Sequence, residues 1–357
     1  MNIGVPKERR PFEFRVGMTP MGVQLLCKAG HMVYVEHEAG LGAGFSDQDF
    51  MNSGARIAYS SEEVFGRADL LLKVARPTYE ELEWLRPMTA VAGLLHLSSA
   101  RHDKIEMLQN KQITTISYEQ IQLADGNFPV RYPLSQIGGR LAAQIGAHLL
   151  QNDAGGRGIL MTGGAGVPPA EVVVIGAGVV GSCAIQAFLG MGAHLTVLDV
   201  SLDALQNIHD KYPGMVTMIS YPPTVARACA YADIVVGSVL VPGQHPPIVV
   251  TRDMVRGMKP RSLIMDISID EGGCIETSRP TTHEHPTFIE EGVIHYCVPN
   301  IPSVVARTST YAFLNAAFTF IMEMAENVDT AIRDNPAIER ATAIYQGELR
   351  NLYSMPG

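Results

Sequence analysis

The stretch 172–199, VVVIGAGVVGSCAIQAFLGMGAHLTVLD, sets Gly176, Gly178 and Gly181 between two apolar runs and ends on Asp199. Each part has a use if a dinucleotide lies across the end of a parallel sheet. Gly176 permits a tight turn, Gly178 lets the backbone approach a pyrophosphate, and Gly181 lets the following helix pack closely on its strand. That helix aims its N-terminal N–H groups and its dipole at the phosphates. Asp199 closes the second run about 20 residues on, where a carboxylate accepts hydrogen bonds from an adenosine ribose and repels a 2′-phosphate, so the pattern points to NAD over NADP.

A cofactor site needs groups that hold a substrate and move protons. Arg15 stands in a loop before the first predicted helix, and Lys73 stands inside the apolar run DLLLKVA. A lysine there either snorkels from an edge strand or meets an anion or carbonyl oxygen at the strand's end, because an unpartnered buried ammonium is costly. His96, in VAGLLHLSS, reads either as a hydrogen-bonded core residue or as an acid/base group, since an unperturbed imidazole exchanges protons near neutral pH and suits an oxidation. In SLIMDISIDEGG, Asp266 suits a helix or turn cap and Asp270 is the better catalytic candidate.

These residues need a frame. A chain of 357 residues, 46% hydrophobic and 18% charged, suits two soluble domains with large buried sheets. Strands in NIGVP, MVYVEH and DLLLKVA alternate with helices over 21–30 and 61–67, a βαβα pattern that predicts a first parallel sheet. A helix over 135–152, capped by Ser135, links it to a second region, whose strands are the two runs around the glycines and then MVTMIS, ADIVVGSVL, SLIMDISI and VIHYCVPN. Helices over 308–324 and 336–352 are too few for a third domain and return to the first. The fold class is α/β, with two Rossmann-like domains. The glycine-rich segment 38–50, EAGLGAGFSDQDF, lacks a following long helix and reads as a structural loop or subunit contact.

The net charge of −9 argues against a general nucleic-acid binder. No apolar run reaches a membrane span's 18 or so residues and the N-terminus is no signal peptide, so a cytoplasmic protein is expected. Cys27, Cys183, Cys229, Cys274 and Cys297 are widely spaced in apolar runs and read as reduced core residues, with no metal-ligand spacing.

With these pieces in place, the chain resembles the alanine dehydrogenase family, which shares its fold with the nicotinamide-binding subunit of transhydrogenase. The likeness rests on GVPKE, RVGMTP, GAGFSDQDF, LLLKV, LLHL, GGRLAAQIGAHLL, GVPPAEVVVIGAGVVG, VLVPG, MDISIDEGG and HYCVPNIP followed by RTSTYA. It implies a substrate domain over 1–129 and 307–357, an NAD domain over 130–306, a homohexamer, and reversible oxidative deamination of L-alanine to pyruvate and ammonia. It places the carboxylate-binding arginine on Arg15, the lysine for the substrate oxygen on Lys73, the acid/base histidine on His96 and the catalytic aspartate on Asp270. NAD contacts fall on Ser135, Gly178, Val179, Asp199, Ser220, Val239, Leu240 and Asn300.

Departures from the family pattern concern the pocket wall. Leu94, preceded by Gly93, stands where an aromatic residue usually lies two before the histidine, and Arg131, Tyr132 and Leu134 replace residues that border the pocket for the alanine methyl. The same chemistry on a different amino acid or imine is the alternative, since each methylene is worth about 1–3 kcal/mol of selectivity. Ser303, Ala306 and Ala204 also depart from the usual pattern, the last beside the ribose acid. A protein that only senses NAD, or a transhydrogenase-like component, has no need of Arg15, Lys73, His96 and Asp270 together.

Overall fold

The computed structural model describes residues 1–241 and 245–351. Pro242 and Gly243 of the VLVPG motif, and Leu352 at the expected end of the last helix, lie outside the described residues. In chain order the strands are β1 (Asn2–Val5), β2 (Met32–Glu36), β3 (Arg56–Ala58), β4 (Leu70–Ala75), β5 (Ala90–Leu94), β6 (Thr114–Ser117), β7 (Glu171–Ile175), β8 (His194–Asp199), β9 (Val216–Ile219), β10 (Ile234–Gly237), β11 (Leu263–Asp266), β12 (Thr287–Glu290), β13 (Val293–Tyr296), β14 (Thr342–Tyr345) and β15 (Glu348–Leu349). The chain divides into two compact units, one of Met1–Leu134 with Pro302–Gly357 and one of Ser135–Ile301.

The first unit holds an eight-stranded sheet in the order β15-β14-β6-β5-β4-β1-β2-β3. Its strands from β3 through β6 pair in parallel, and β14 and β15 add antiparallel at the edge. Continuous apolar runs such as β4, buried along nearly its whole length, are what a sheet covered on both faces demands. One face packs on the long helix Ala306–Glu326, whose Phe313, Leu314, Ala317, Ile321 and Met324 share a core with Val5, Leu72 and Ile116. That helix carries the C-terminal segment into the core begun by the N-terminal strands, so this unit is built from both ends of the chain.

The second unit holds a seven-stranded sheet, β12-β13-β11-β10-β7-β8-β9, parallel except for β12. Both sheets are largely parallel, which gives two Rossmann-like α/β domains. Four of the five cysteines are buried. Burial pushes the Cys229 thiol up to about 12 and Cys297 up to about 11, which makes both weak nucleophiles. Among the described residues no helix is long and apolar enough to cross a membrane.

Several expectations need correction. The helix expected to start at a Ser135 cap runs from Arg131 to Leu149, because Pro133 is tolerated in a first turn whose N–H groups have no intrahelical partner. Ser135 is therefore interior. The helix expected over 336–352 stops at Ala341 and gives way to the hairpin β14–β15. Gln346 and Gly347 both take positive φ there, 49° and 86°, the two-residue turn that joins such strands. The segment 38–50 is a loop with two short helices, Leu41–Ala43 and Asp47–Asn52, the second opened by a capping box between Ser46 and Asp49.

Candidate active site

In the first sheet the strand order reverses between β1 and β4, and the crevice beyond strand ends at such a reversal is where open α/β sheets bind ligands. The loop leaving β1 carries Glu8, Glu13 and Arg15. It crosses β4 at Gly17, where a Cβ would lie 2.0 Å from the Leu72 carbonyl oxygen, so only glycine permits the approach. Arg15 is buried and forked onto Glu13, with Nε donating to Oε1 at 2.7 Å and Nη2 to Oε2 at 2.6 Å. Such a bidentate pair fixes the plane of the guanidinium.

Lys73 is fully buried on β4, a central strand, so the edge-strand snorkel does not apply. Its Nζ donates to Glu81 at 2.7 Å and to Glu8 at 3.2 Å. Burial alone would push the ammonium down, but the two carboxylates more than offset this and hold its pKa above the ordinary lysine value. The same burial pushes the Glu8 carboxyl up, with Lys73 opposing. The partners were missed in the sequence, although Thr78 and Glu81 show the spacing of a capping box, which the structure contains.

His96 follows β5, the neighbour of β4, and it is not a core residue: its side chain is exposed. Its backbone is left-handed, φ 43° and ψ 50°, a conformation that costs a non-glycine residue about 1–2 kcal/mol. Four contacts hold it there. The Glu119 carboxylate accepts from the N–H of Leu95 (3.1 Å) and of His96 (2.7 Å), while the His96 carbonyl accepts from Arg76 Nη1 (2.6 Å) and Ser99 Oγ (3.0 Å). The backbone is clamped and the imidazole presented.

The residues of the proposed pocket wall divide. Gly93 answers a backbone approach, since a Cβ there would lie 2.7 Å from the Lys73 carbonyl oxygen. Leu94 packs in the core of the sheet, and Leu134 is partly buried against it. Tyr132 is exposed, and the Arg131 guanidinium lies 5.8 Å from the Phe128 ring centroid.

In the second sheet the order reverses between β7 and β10. Gly176, at φ 100°, follows β7 and passes the residue after β10: a Cβ would lie 2.5 Å from the Ser238 carbonyl oxygen. A Cβ on Gly181 would lie 1.8 Å from the Gly176 carbonyl oxygen, whereas one on Gly178 would meet nothing within 4 Å. Gly178 caps the helix Val179–Gly190 without a side-chain hydrogen bond, and no acid sits in its first turn. Asp199 ends β8; its Oδ2 accepts from the Ala177 N–H at 2.6 Å and its Oδ1 from the Ser201 N–H at 2.8 Å. A carboxylate offers about four acceptor sites, so these bonds orient it without exhausting it.

Ser220, Val239 and Leu240 follow β9 and β10, on the same edge of the sheet. Asp270 is exposed in the short helix Ile267–Glu271 after β11 and accepts from the N–H of Asn300 at 3.1 and 3.3 Å. Asp266 has the structural role: fully buried, it accepts from the N–H groups of Ser268, Cys274 and Ile275. The structure thus brings Arg15, Lys73 and His96 to one sheet edge of the first unit, and Gly176, Gly178, Val179, Gly181, Asp199, Ser220, Val239, Leu240, Asp270 and Asn300 to one sheet edge of the second. Ser135 lies within the helix Arg131–Leu149.

Residues 4–138 match the family model described as alanine dehydrogenase/PNT, N-terminal domain, and residues 142–352 match the C-terminal domain of the same family. The chain is 43% identical over 351 residues to an alanine dehydrogenase from Halomonas elongata, covering 98% of this chain and 94% of that protein. Among solved structures it is similar to an L-alanine dehydrogenase, with a TM-score of 0.94 and 37% identity over 98% of this chain and 96% of the other. A transhydrogenase from Sinorhizobium meliloti gives a TM-score of 0.82 and 26% identity over 98% of both chains.

Proposed function

This chain belongs to the alanine dehydrogenase/PNT family, and from that premise we propose that it catalyses the NAD-dependent, reversible oxidative deamination of L-alanine to pyruvate and ammonia. One observation carries the reading: a fully buried, charged Lys73 at a strand-order reversal, with Arg15 on the loop that crosses its strand and the exposed His96 imidazole after the next strand.

The glycine turn fits NAD. Gly178 leaves open space where a phosphate would approach, and the helix behind it has a first turn without a side-chain cap, the arrangement that binds phosphate. Gly176, Gly178, Val179 and Gly181 would hold the pyrophosphate and Asp199 the adenosine ribose, with Ser135, Ser220, Val239, Leu240 and Asn300 as further contacts. When bound, the nicotinamide supplies a hydride acceptor for the substrate Cα.

The chain's own residues do the rest. Arg15 grips the substrate carboxylate with a fork whose plane Glu13 has already set, and Lys73 adds a point charge that needs no reorganisation on binding. Loss of hydride from Cα leaves an iminium. The His96 imidazole takes a proton from the water that adds to the iminium carbon, returns it to the nitrogen, and takes the hydroxyl proton as the carbinolamine expels ammonia and the keto group forms. The family resemblance assigns the role of catalytic aspartate to Asp270, which is exposed after β11. In reverse, Lys73 and protonated His96 polarise the keto oxygen of pyruvate.

The assembly we propose is a cytoplasmic homohexamer acting on small molecules, supported by the family resemblance; the net charge of −9 speaks against nucleic acid as a partner. The test is turnover. Purified protein is mixed with NAD and each common L-amino acid in alkaline buffer, and alanine is expected to reduce NAD fastest. A different winner would transfer the chemistry to that amino acid. Silence across the panel would refute the dehydrogenase reading and leave a binder.

A further inference from the structure

Three cations of the first unit gather with no ion pair to any of the described residues, and nearby acids compensate them only in part: Glu119 attracts Arg76, and Glu81 and Asp103 attract Lys104. Arg10 lies on the loop after β1, Arg76 just past β4, and Lys104 in the helix His102–Asn110. Arg10 Nε donates to the Arg76 carbonyl at 3.1 Å, and Lys104 Nζ donates to the Pro77 carbonyl at 3.0 Å while lying 4.3 Å from the Tyr79 ring centroid. Arg76 Nη1 donates to the His96 carbonyl at 2.6 Å and to Ser99 Oγ at 3.3 Å. All three residues are half-buried. Arg76 Nε is buried and has no hydrogen-bond partner.

The nearby carboxylates are committed elsewhere. Glu119 takes the N–H groups of Leu95 and His96, and Glu81 takes Lys73 and the Thr78 N–H. Asp103 takes the Tyr79 hydroxyl and the Lys104 N–H and pairs with Arg101. Burial loosens the hold of Arg76 and of Lys104 on their protons, and repulsion from Arg10 adds to it in both, with Arg76 acting further on Lys104; attraction from Glu119 on Arg76, and from Glu81 and Asp103 on Lys104, offsets only part of this. Half-buried like charges with an orphan donor among them cost stability. An oxyanion seated among them would turn that repulsion into attraction and give the orphan donor an acceptor.

We propose that Arg10, Arg76 and Lys104 form a receptor for a small oxyanion, a carboxylate or phosphate group, beside the loop that carries His96. Two sources share this chemistry: a free inorganic anion, or the second carboxylate of an acidic amino acid. Because Arg76 also holds the His96 carbonyl, occupancy is coupled to the strained segment that presents the imidazole.

The experiment has a binding arm and a turnover arm, and only the second rests on the dehydrogenase reading. In the first, inorganic phosphate is titrated calorimetrically into the full chain at an ionic strength held constant with chloride. Saturable binding is expected, weakened about tenfold or more in Lys104→Met and in Arg10→Met and retained in Lys104→Arg. In the second, NAD reduction is compared with L-aspartate, L-glutamate and L-alanine. A loss confined to the acidic amino acids in Lys104→Met makes the substrate's own carboxylate the ligand. Phosphate binding without such a loss makes it a free anion. No saturable phosphate binding, or equal affinity in wild type and both Met variants, combined with no selective loss toward acidic amino acids, overturns the proposal.

Discussion

His96 sits in the left-handed region with its backbone gripped by Glu119, Arg76 and Ser99, and strain of that kind persists where the surrounding structure over-determines it. His96→Ala should lower kcat by about 100-fold or more, the usual loss for an acid/base group, with NAD affinity near normal in a fluorescence titration. Near-full activity would return the residue to a structural role. Glu81 makes a different prediction. Removing one partner of a buried ion set costs about 3–5 kcal/mol, so Glu81→Leu should reduce unfolding free energy on that scale in urea, since Lys73 is then left with Glu8 alone at 3.2 Å. A change under about 1 kcal/mol, the worth of an exposed pair, would show that the pair carries little. Arg15, Lys73 and His96 were legible in the sequence because charged or titratable types stood out near apolar runs. Their partners Glu8 and Glu119 were not, because pairing across 65 and 23 residues of chain leaves no local mark; Glu13 and Glu81, two and eight residues from their partners, were missed because an acid near a loop arginine or in a helix cap reads as an ordinary surface residue.

The strand, turn and helix from β7 to β8 have room for glycine alone at Gly181. Gly181→Ala puts a carbon 1.8 Å from the Gly176 carbonyl oxygen, so the helix must shift off its strand; loss of NAD binding together with a lowered melting temperature is expected, and unchanged binding would contradict the assigned turn. His295 on β13 tests the same sheet by pH. It is fully buried, Nδ1 donates to the Val293 carbonyl at 3.0 Å, and Nε2 accepts from Thr277 Oγ1 at 2.7 Å. Burial lowers its pKa, so the unfolded chain takes up a proton that the folded one refuses as pH falls through about 6.5. Its stabilising contribution is present above that pH and lost below it. Melting temperatures between about pH 7.5 and 5 should therefore fall less steeply in His295→Gln than in the wild type, and parallel slopes would exclude this source. Most parallel strands were readable as short apolar runs. The hairpin β14–β15 was not: the apolar spacing of PAIERATAIYQGEL suits a helix as well, and only the pairing of β14 with β6, set by tertiary structure, decides for strand.

Over the whole molecule the same device appears twice. Among the parallel strands of each sheet the order reverses once, between β1 and β4 and between β7 and β10. One reversal gathers cations and an imidazole, the other glycines and a carboxylate. The α/β class and the construction of the first unit from both termini were legible from the alternation of elements and from two C-terminal helices too few to stand alone. In the proposed reaction L-alanine gives up its Cα hydrogen, as hydride, to NAD. Incubating the wild-type protein with NAD and L-alanine deuterated at Cα, and examining the reduced cofactor by mass spectrometry, follows that hydrogen. One deuterium is expected in each reduced nicotinamide, with pyruvate formed in equal amount. Reduced cofactor without deuterium, or no reduction at all with alanine, would contradict the proposed reaction.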